Sequence, residues 1–293
     1  MKKFKIVILI SAFITSFACS KDDDSQQKVN IIWGSDWDTN GTCLRAFDLE
    51  KGIGVDTIYF YGCCGFENLN FNKLTKSILL TYDGDLYDLN ISTHEFNFLL
   101  KISNINGRGI LGLNLDNRNQ ILYGFDVIDS KFNIIKVDLK NNKLEVILKD
   151  FKPASTINYP TMYSTLDEIR QKLYLALGDS VFSFDIKNKK IEKAMKTGEI
   201  AMIQFNPYIN KLNGIIFNDI KLAKLDIYQN YFSSSSFSRN INGFYFCSTI
   251  NGNTGDYIFR TGRNEILIVE QNGNIKNSYT FVGEVGLTVQ TIK

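Results

Sequence analysis

Lys172-Leu173-Tyr174-Leu175-Ala176-Leu177-Gly178-Asp179-Ser180-Val181-Phe182-Ser183-Phe184-Asp185-Ile186 holds one strand–turn–strand unit. Five apolar residues run to a Gly-Asp turn, and a second run ends on Asp185. A short apolar run bounded by turn residues on both sides reads as a strand buried on both faces. The second half, an apolar residue followed by an acid at the mouth of a turn, recurs along the chain. It stands as Ala46-Phe47-Asp48-Leu49, Leu86-Tyr87-Asp88-Leu89, Lys136-Val137-Asp138-Leu139, Ser183-Phe184-Asp185-Ile186, Lys224-Leu225-Asp226-Ile227 and Ile268-Val269-Glu270-Gln271. The acidic positions lie 40, 50, 47, 41 and 44 residues apart. A period in the forties built from short strands predicts an all-β, six-bladed β-propeller of four-stranded antiparallel blades.

The second strand of each blade is read at Ile31-Trp33, Ile78-Tyr82, Ile121-Tyr123, Leu173-Ala176, Gly214-Phe217 and Tyr257-Phe259. The third carries the repeated phrase, and a turn rich in Asn and Gly follows it, such as Lys51-Gly52 or Asn141-Asn142. Such residues suit the φ > 0 positions of two-residue hairpins. A short acidic side chain there accepts backbone N–H bonds, so a structural role is sufficient for the recurrent Asp. The first repeat starts at Val29 and has no room for a first strand, while Leu287-Ile292 is a strand without a blade. Pairing the two closes the ring and leaves no open edge. The phrase of blade four resembles the repeats of quinoprotein-like and YVTN-type propellers. That resemblance covers most of the chain and implies architecture, not activity.

The amino terminus reads differently. Lys2, Lys3 and Lys5 precede a short apolar run, Ile6 to Phe17, too short for an ordinary membrane-spanning helix. The following Ala18-Cys19 resembles a bacterial lipobox, which implies removal of residues 1–18 and lipid on Cys19. Residues 19–28 then form a polar tether whose Asp22-Asp23-Asp24 resembles the acidic export tag of surface lipoproteins, and 29–293 is the propeller. The mature chain would have 275 residues with 30 basic against 31 acidic side chains. That near-neutral balance gives no basic stripe for nucleic acid. The expected location is the bacterial outer membrane, lipid-anchored and facing outward, as a monomer.

In a blade with strands a to d from the axis outward, the b–c and d–a connections share one face. Their predicted extents are 35–41, 62–68, 104–109, 125–133, 153–163 and 233–243. Loops can be elaborated for binding without disturbing a core. Trp37, Phe66, Glu67, Arg108, Asp126, Tyr159 and Tyr163 are the ligand-face candidates, an aromatic and polar set suited to a glycan or peptide. Asp36-Trp37-Asp38-Thr39-Asn40-Gly41 matches the opening of a calcium loop, with Asp36, Asp38 and Asn40 as ligands. Leu44 and Phe47 stand where the later ligands belong, so the segment reads either as an incomplete Ca2+ site or as an Asx-rich hairpin tip. No cofactor is otherwise required.

Cys43, Cys63, Cys64 and Cys247 remain after Cys19. A hairpin around Lys51 to Gly54 sets position 43 near 63, so Cys43–Cys63 or Cys43–Cys64 bridges are the first choices, with a vicinal Cys63–Cys64 ring or free thiols as alternatives. The single histidine, His94, leaves no Ser-His-Asp triad. Asp126 or Glu67 could still serve carboxylate chemistry on glycans. The sequence therefore points to a non-enzymatic binding module for a glycan, peptide or partner protein. A carboxylate-dependent glycan-active enzyme and a scaffold subunit of an outer-membrane complex are the alternatives.

Overall fold

The computed structural model describes residues 30–38, 41–60, 67–102, 110–128, 131–153, 162–241, 243–262, 265–280 and 285–291. The lipobox, the tether, Asn40, Cys63, Cys64, Phe66, Arg108 and Tyr159 lie outside them. Blade one holds β1 (Asn30–Asp38), β2 (Gly41–Asp48) and β3 (Ile53–Phe60). Blade two is β4 (Glu67–Asn72), β5 (Ser77–Tyr82), β6 (Asp85–Asn90) and β7 (Phe96–Lys101). Blade three is β8 (Leu111–Asp116), β9 (Ile121–Ile128), β10 (Lys131–Asp138) and β11 (Lys143–Phe151). Blade four is β12 (Met162–Asp167), β13 (Lys172–Leu177), β14 (Ser180–Asp185) and β15 (Lys190–Lys196). Blade five is β16 (Ile200–Asn206), β17 (Lys211–Ile216), β18 (Lys221–Asp226) and β19 (Tyr231–Ser235). Blade six is β20 (Phe244–Ile250), β21 (Tyr257–Thr261), β22 (Glu265–Val269) and β23 (Ile275–Thr280). The last strand, β24 (Val285–Thr291), returns to blade one and gives the sheet order β24-β1-β2-β3. The expected ring closure is therefore present, with Asn30 opposite Thr291 and Trp33 opposite Thr288.

Contacts run from β4 to β8, β12, β16, β20, β24 and back to β4, so the six first strands line the axis. Both faces of each blade are buried, which is why the second strands read as continuous apolar runs rather than alternating ones. Leu173, Leu175 and Leu177 pack on Phe125 and Phe132 of blade three. Their neighbours Tyr174 and Ala176 face the other way, onto Ile200, Leu212 and Ala223 of blade five. The same alternation builds a core between every pair of blades. The last of these sets Ile258, Ile266 and Cys247 of blade six against Ile32 and Leu49 of blade one. Fully burying one such side chain contributes ~1.5–3 kcal/mol.

Polar side chains tie neighbouring inner strands together. Asn68 and Asn70 of blade two accept from the Leu113 and Leu115 amides of blade three at 3.0 Å each. Thr165 accepts from the Phe205 amide at 2.8 Å, and Thr288 accepts from that of Phe71 at 3.1 Å. Gln204 donates to the Ser248 carbonyl at 3.0 Å. Inner-strand backbone that would otherwise face the axis unpaired is satisfied in this way. Several inner strands also carry a register shift, as at Glu67/Asn70, Leu111/Asn114 and Ala201/Gln204. Asn68, Gly112 and Met202 in these strands take left-handed backbone.

The turns after the third strands differ from the two-residue hairpins expected. Asp48, Asp138 and Asp226 each accept amides two and three residues on, and the turn ends on a left-handed residue four positions later: Gly52, Asn142 and Asn230. Asp185 accepts the Asn188 amide, and Lys189 is left-handed. The loop thus holds four residues, closed by a bond such as Gly52 N–H to Asp48 C=O. In blade two this role falls to Asn90, which accepts from Ser92 and Thr93, and not to Asp88, which sits inside β6 opposite Leu79. The repeat phrase at Leu86-Leu89 is therefore two residues out of structural register. The two-residue turns lie between second and third strands instead, as at Asp83-Gly84, where both residues have positive φ.

Candidate functional site

Two faces result. On one, first-to-second and third-to-fourth connections are turns of four to six residues. Their first residue is an Asx in most blades: Asn72, Asp116, Asp167, Asn206 and Asn251 after the first strands, each followed four positions later by left-handed Lys76, Gln120, Gln171, Asn210 or Gly255. This second Asx series escapes a reading by hydrophobicity but is visible as a spacing of four. On the opposite face, the connections between blades span six, nine, ten, three, eight and four residues in ring order. Length varies far more on that face, from three to ten residues against four to six.

The ligand-face candidates distribute unevenly. β1 runs through Asp36, Trp37 and Asp38, which oppose Cys43, Thr42 and Gly41. That backbone is a strand continuing into a hairpin, not a loop over 35–41. Asp126 is likewise in β9, opposite Asn133 and buried, because β9 and β10 extend through most of the predicted 125–133 loop. Tyr163 belongs to β12, opposite Ala176, and packs against the cores flanking blade five rather than lining an open mouth. Phe237, in the connection expected over 233–243, packs inward, 5.5 Å from the Phe259 ring. Glu67 opens β4 opposite Thr81. Strands that outrun their sequence signal explain these shifts: pairing continues past the last apolar residue as long as the partner strand continues.

Among the described residues no group of three or more His, Cys, Asp or Glu is placed to hold a metal ion. Cys43 and Cys247 are buried. The β2–β3 hairpin forms as expected and sets Cys43 opposite Tyr59. His94 lies in a tight turn on the face opposite the candidates, 3.3 Å from Asp56.

Two polar features were not anticipated. At the axis, on the tight-turn face, a cavity of about 190 Å³ is lined by Asn70, Phe71, Leu115, Thr249 and Thr288, with Lys73, Asn117 and Gly252 at its rim. Asn70, Asn117 and Thr288 each already accept a backbone amide there, so this lining is mainly stitching. Between blades four and five, Lys172 donates to Asp185 at 2.6 Å and to Glu192 at 2.7 Å. Tyr228 bonds both Glu192 (2.8 Å) and Ser183 (2.7 Å). Burial alone would raise the Asp185 carboxyl, but the Lys172 ammonium and Asn188 outweigh it and hold it well below its ordinary range. Burial would likewise lower Lys172, and its two carboxylate partners hold it raised instead. Every member is engaged with another, so the cluster ties blades together rather than awaiting a substrate.

No protein-family model matches the chain, and no curated protein matches it in sequence. Solved structures share the fold. A chain of the nidogen/laminin complex superposes with a TM-score of 0.67 at 11% identity, covering 89% of this chain and 98% of that one. A Bacteroides caccae protein of unknown function gives 0.65 at 10% identity, covering 89% and 98%. TolB from Acinetobacter baumannii gives 0.59 at 12% identity, covering 86% of this chain and 66% of its own. At such identities the likeness shows the six-bladed propeller and nothing finer.

Proposed function

We propose that the chain is a lipid-anchored bacterial surface lipoprotein whose propeller is a non-enzymatic interaction module. Its ligand is a glycan, a peptide or a partner protein, met by the face that carries the variable connections between blades. The observation that carries this reading is the asymmetry of the two faces. One repeats the same tight Asx turn around the ring, while the other varies from three to ten residues between blades. Loops tolerate such variation without disturbing the core, and binding residues are disproportionately carried on loops. The chain also enters β1 at Asn30 on the tight-turn side, beside the end of β24. A tether from Cys19 therefore leaves from that side and turns the variable face outward. One of the solved neighbours comes from a complex with laminin, which is compatible with protein binding by this architecture.

The anchor is tested by metabolic labelling with a palmitate analogue. The wild-type chain is expected to take up label and Cys19→Ser to lose it; an unlabelled wild type overturns the anchor. The module is tested by recovering the protein from mild-detergent membrane extracts with quantitative mass spectrometry and by a glycan panel. A stoichiometric partner or a bound glycan that survives without turnover supports the reading. Turnover lost in Glu67→Gln or Asp126→Asn would replace it with a glycan-active enzyme.

A further inference from the structure

The tight-turn face carries a feature its turns do not need. At the third position of the Asx turns after the first strands stand Leu74, Arg118, Ile169, Tyr208 and Asn253. In the turns of Leu74, Ile169, Tyr208 and Asn253 the capping bond uses the backbone amide of this residue, which Asn253 supplies as well as an apolar residue does; Tyr208 also donates its hydroxyl to the Gly252 carbonyl at 2.6 Å. Yet Ile169 is 73% exposed, Leu74 71% and Tyr208 53%. Ile169 and Leu74 are the most exposed large apolar side chains among the described residues. They stand on blades four and two, with Tyr208 on blade five, in one ring around the axial opening.

Cations accompany them. Lys73 and Lys76 flank Leu74, and Arg118 takes the equivalent place on blade three, all exposed. Glu168 lies among them; burial and the nearby Asp116 raise its carboxyl, against the lowering by Lys73 and Asn117. Protruding apolar side chains among Lys and Arg, with a Tyr, make the composition of an interfacial membrane contact: apolar groups enter the headgroup boundary and cations meet lipid phosphates. The same face receives Asn30, where the segment carrying Cys19 joins the ring.

We infer that the tight-turn face rests on an anionic phospholipid bilayer surface, with Leu74, Ile169 and Tyr208 in the interface and Lys73, Lys76 and Arg118 on headgroup phosphates. The lipid-anchor reading contributes only the side from which the tether leaves; the face stands on its own side chains. A contact of this kind adds to the hold of the lipid. It also fixes the ring's orientation.

The test uses the chain from Ser20, which lacks the lipidated Cys but keeps every described residue of the closed ring. It is sedimented with vesicles of phosphatidylcholine containing about a third phosphatidylglycerol. The expected result is partition onto these vesicles that weakens in salt and on pure phosphatidylcholine. Leu74→Ser with Ile169→Ser should lower the partition about tenfold or more, and Lys76→Glu with Arg118→Glu should remove the preference for phosphatidylglycerol. These side chains are exposed, so each variant should keep the wild-type melting temperature. Failure of the wild-type chain to sediment with either vesicle overturns the inference, as does sedimentation unchanged in both double variants. Protection of residues 73–76 and 168–171 by a purified protein partner and not by vesicles also overturns it. Because this chain carries no lipid, a failed palmitate label leaves its outcome unaffected.

Discussion

Asp88 shows how a repeat phrase can hide a misplaced charge. Its neighbour two residues on, Asn90, performs the turn role that the acid performs in the other blades. Asp88 instead lies within β6, with one buried carboxylate oxygen unpartnered. Burial raises its carboxyl above the ordinary 3.8, although Ser77 partly offsets this. A raised carboxyl means the fold favours the protonated form, so this group's contribution is full at low pH and is lost as pH rises through the folded value. Asp88→Asn should therefore raise the melting temperature at pH 7 and leave it unchanged at pH 3. An equal rise at both would show that charge is not the cause. Gly112 is the second instructive residue. Its φ is +56°, and an added Cβ would lie 2.5 Å from Ser164 Oγ and 3.0 Å from the Phe125 ring. Gly112→Ala should cost about 1–3 kcal/mol in denaturant unfolding, from backbone strain and overpacking together. That a glycine sits there can be read from the sequence. That it stands in a register shift beside blade four cannot.

At the scale of elements, the Lys172–Asp185–Glu192 group joins the second, third and fourth strands of its blade and reaches Tyr228 of the next. Asp185→Asn should cost about 3 kcal/mol at pH 7, because it leaves a mostly buried ammonium short of a partner. The sign with pH follows from the two directions. Asp185 is lowered, so its contribution is present above about 3.8 and lost as pH falls toward the folded value. Lys172 is raised, so its contribution is present below about 10.5 and lost as pH climbs past it. The gap between wild type and variant, followed by chemical denaturation, should be widest from about pH 5 to 9 and shrink in acid. β24 is the other element to test. It supplies the inner strand of blade one, and its Thr288 accepts from Phe71 of blade two. A chain ending after Glu284 exposes the edge of β1 and should lose cooperative melting. An unchanged melting temperature would mean the ring does not depend on the latch.

For the whole molecule, the two faces are built differently. The tight-turn face is uniform because each hairpin must return the chain within about four residues to keep four strands in register, and Asx turns with a left-handed fourth residue do this. The face between blades is under no such constraint. Replacing residues 153–161 with a Gly-Ser linker of equal length should leave melting unchanged and weaken capture of the partner. Lost capture alongside a fallen melting temperature would instead mark that connection as part of the fold.

The periodic apolar runs by themselves determined the number of blades and the second strands, because burial on both faces writes those strands as unbroken runs; the repeated phrase marked the third strands, and the unclaimed Leu287-Ile292 the latch. The recurrent Asp, read as structural, takes that role through hydrogen bonds from turn amides in most blades. Strand ends are not legible: the sequence sets Trp37, Asp126 and Tyr163 in loops, yet they lie in strands. Polar residues extend a strand whenever a partner offers backbone groups, and that partner is known only once the sheet is assembled. Which side of the ring the chain enters was likewise decided by the tertiary structure. It follows from the direction of β1 beside β24, two segments at opposite ends of the chain whose pairing exists only in the closed ring.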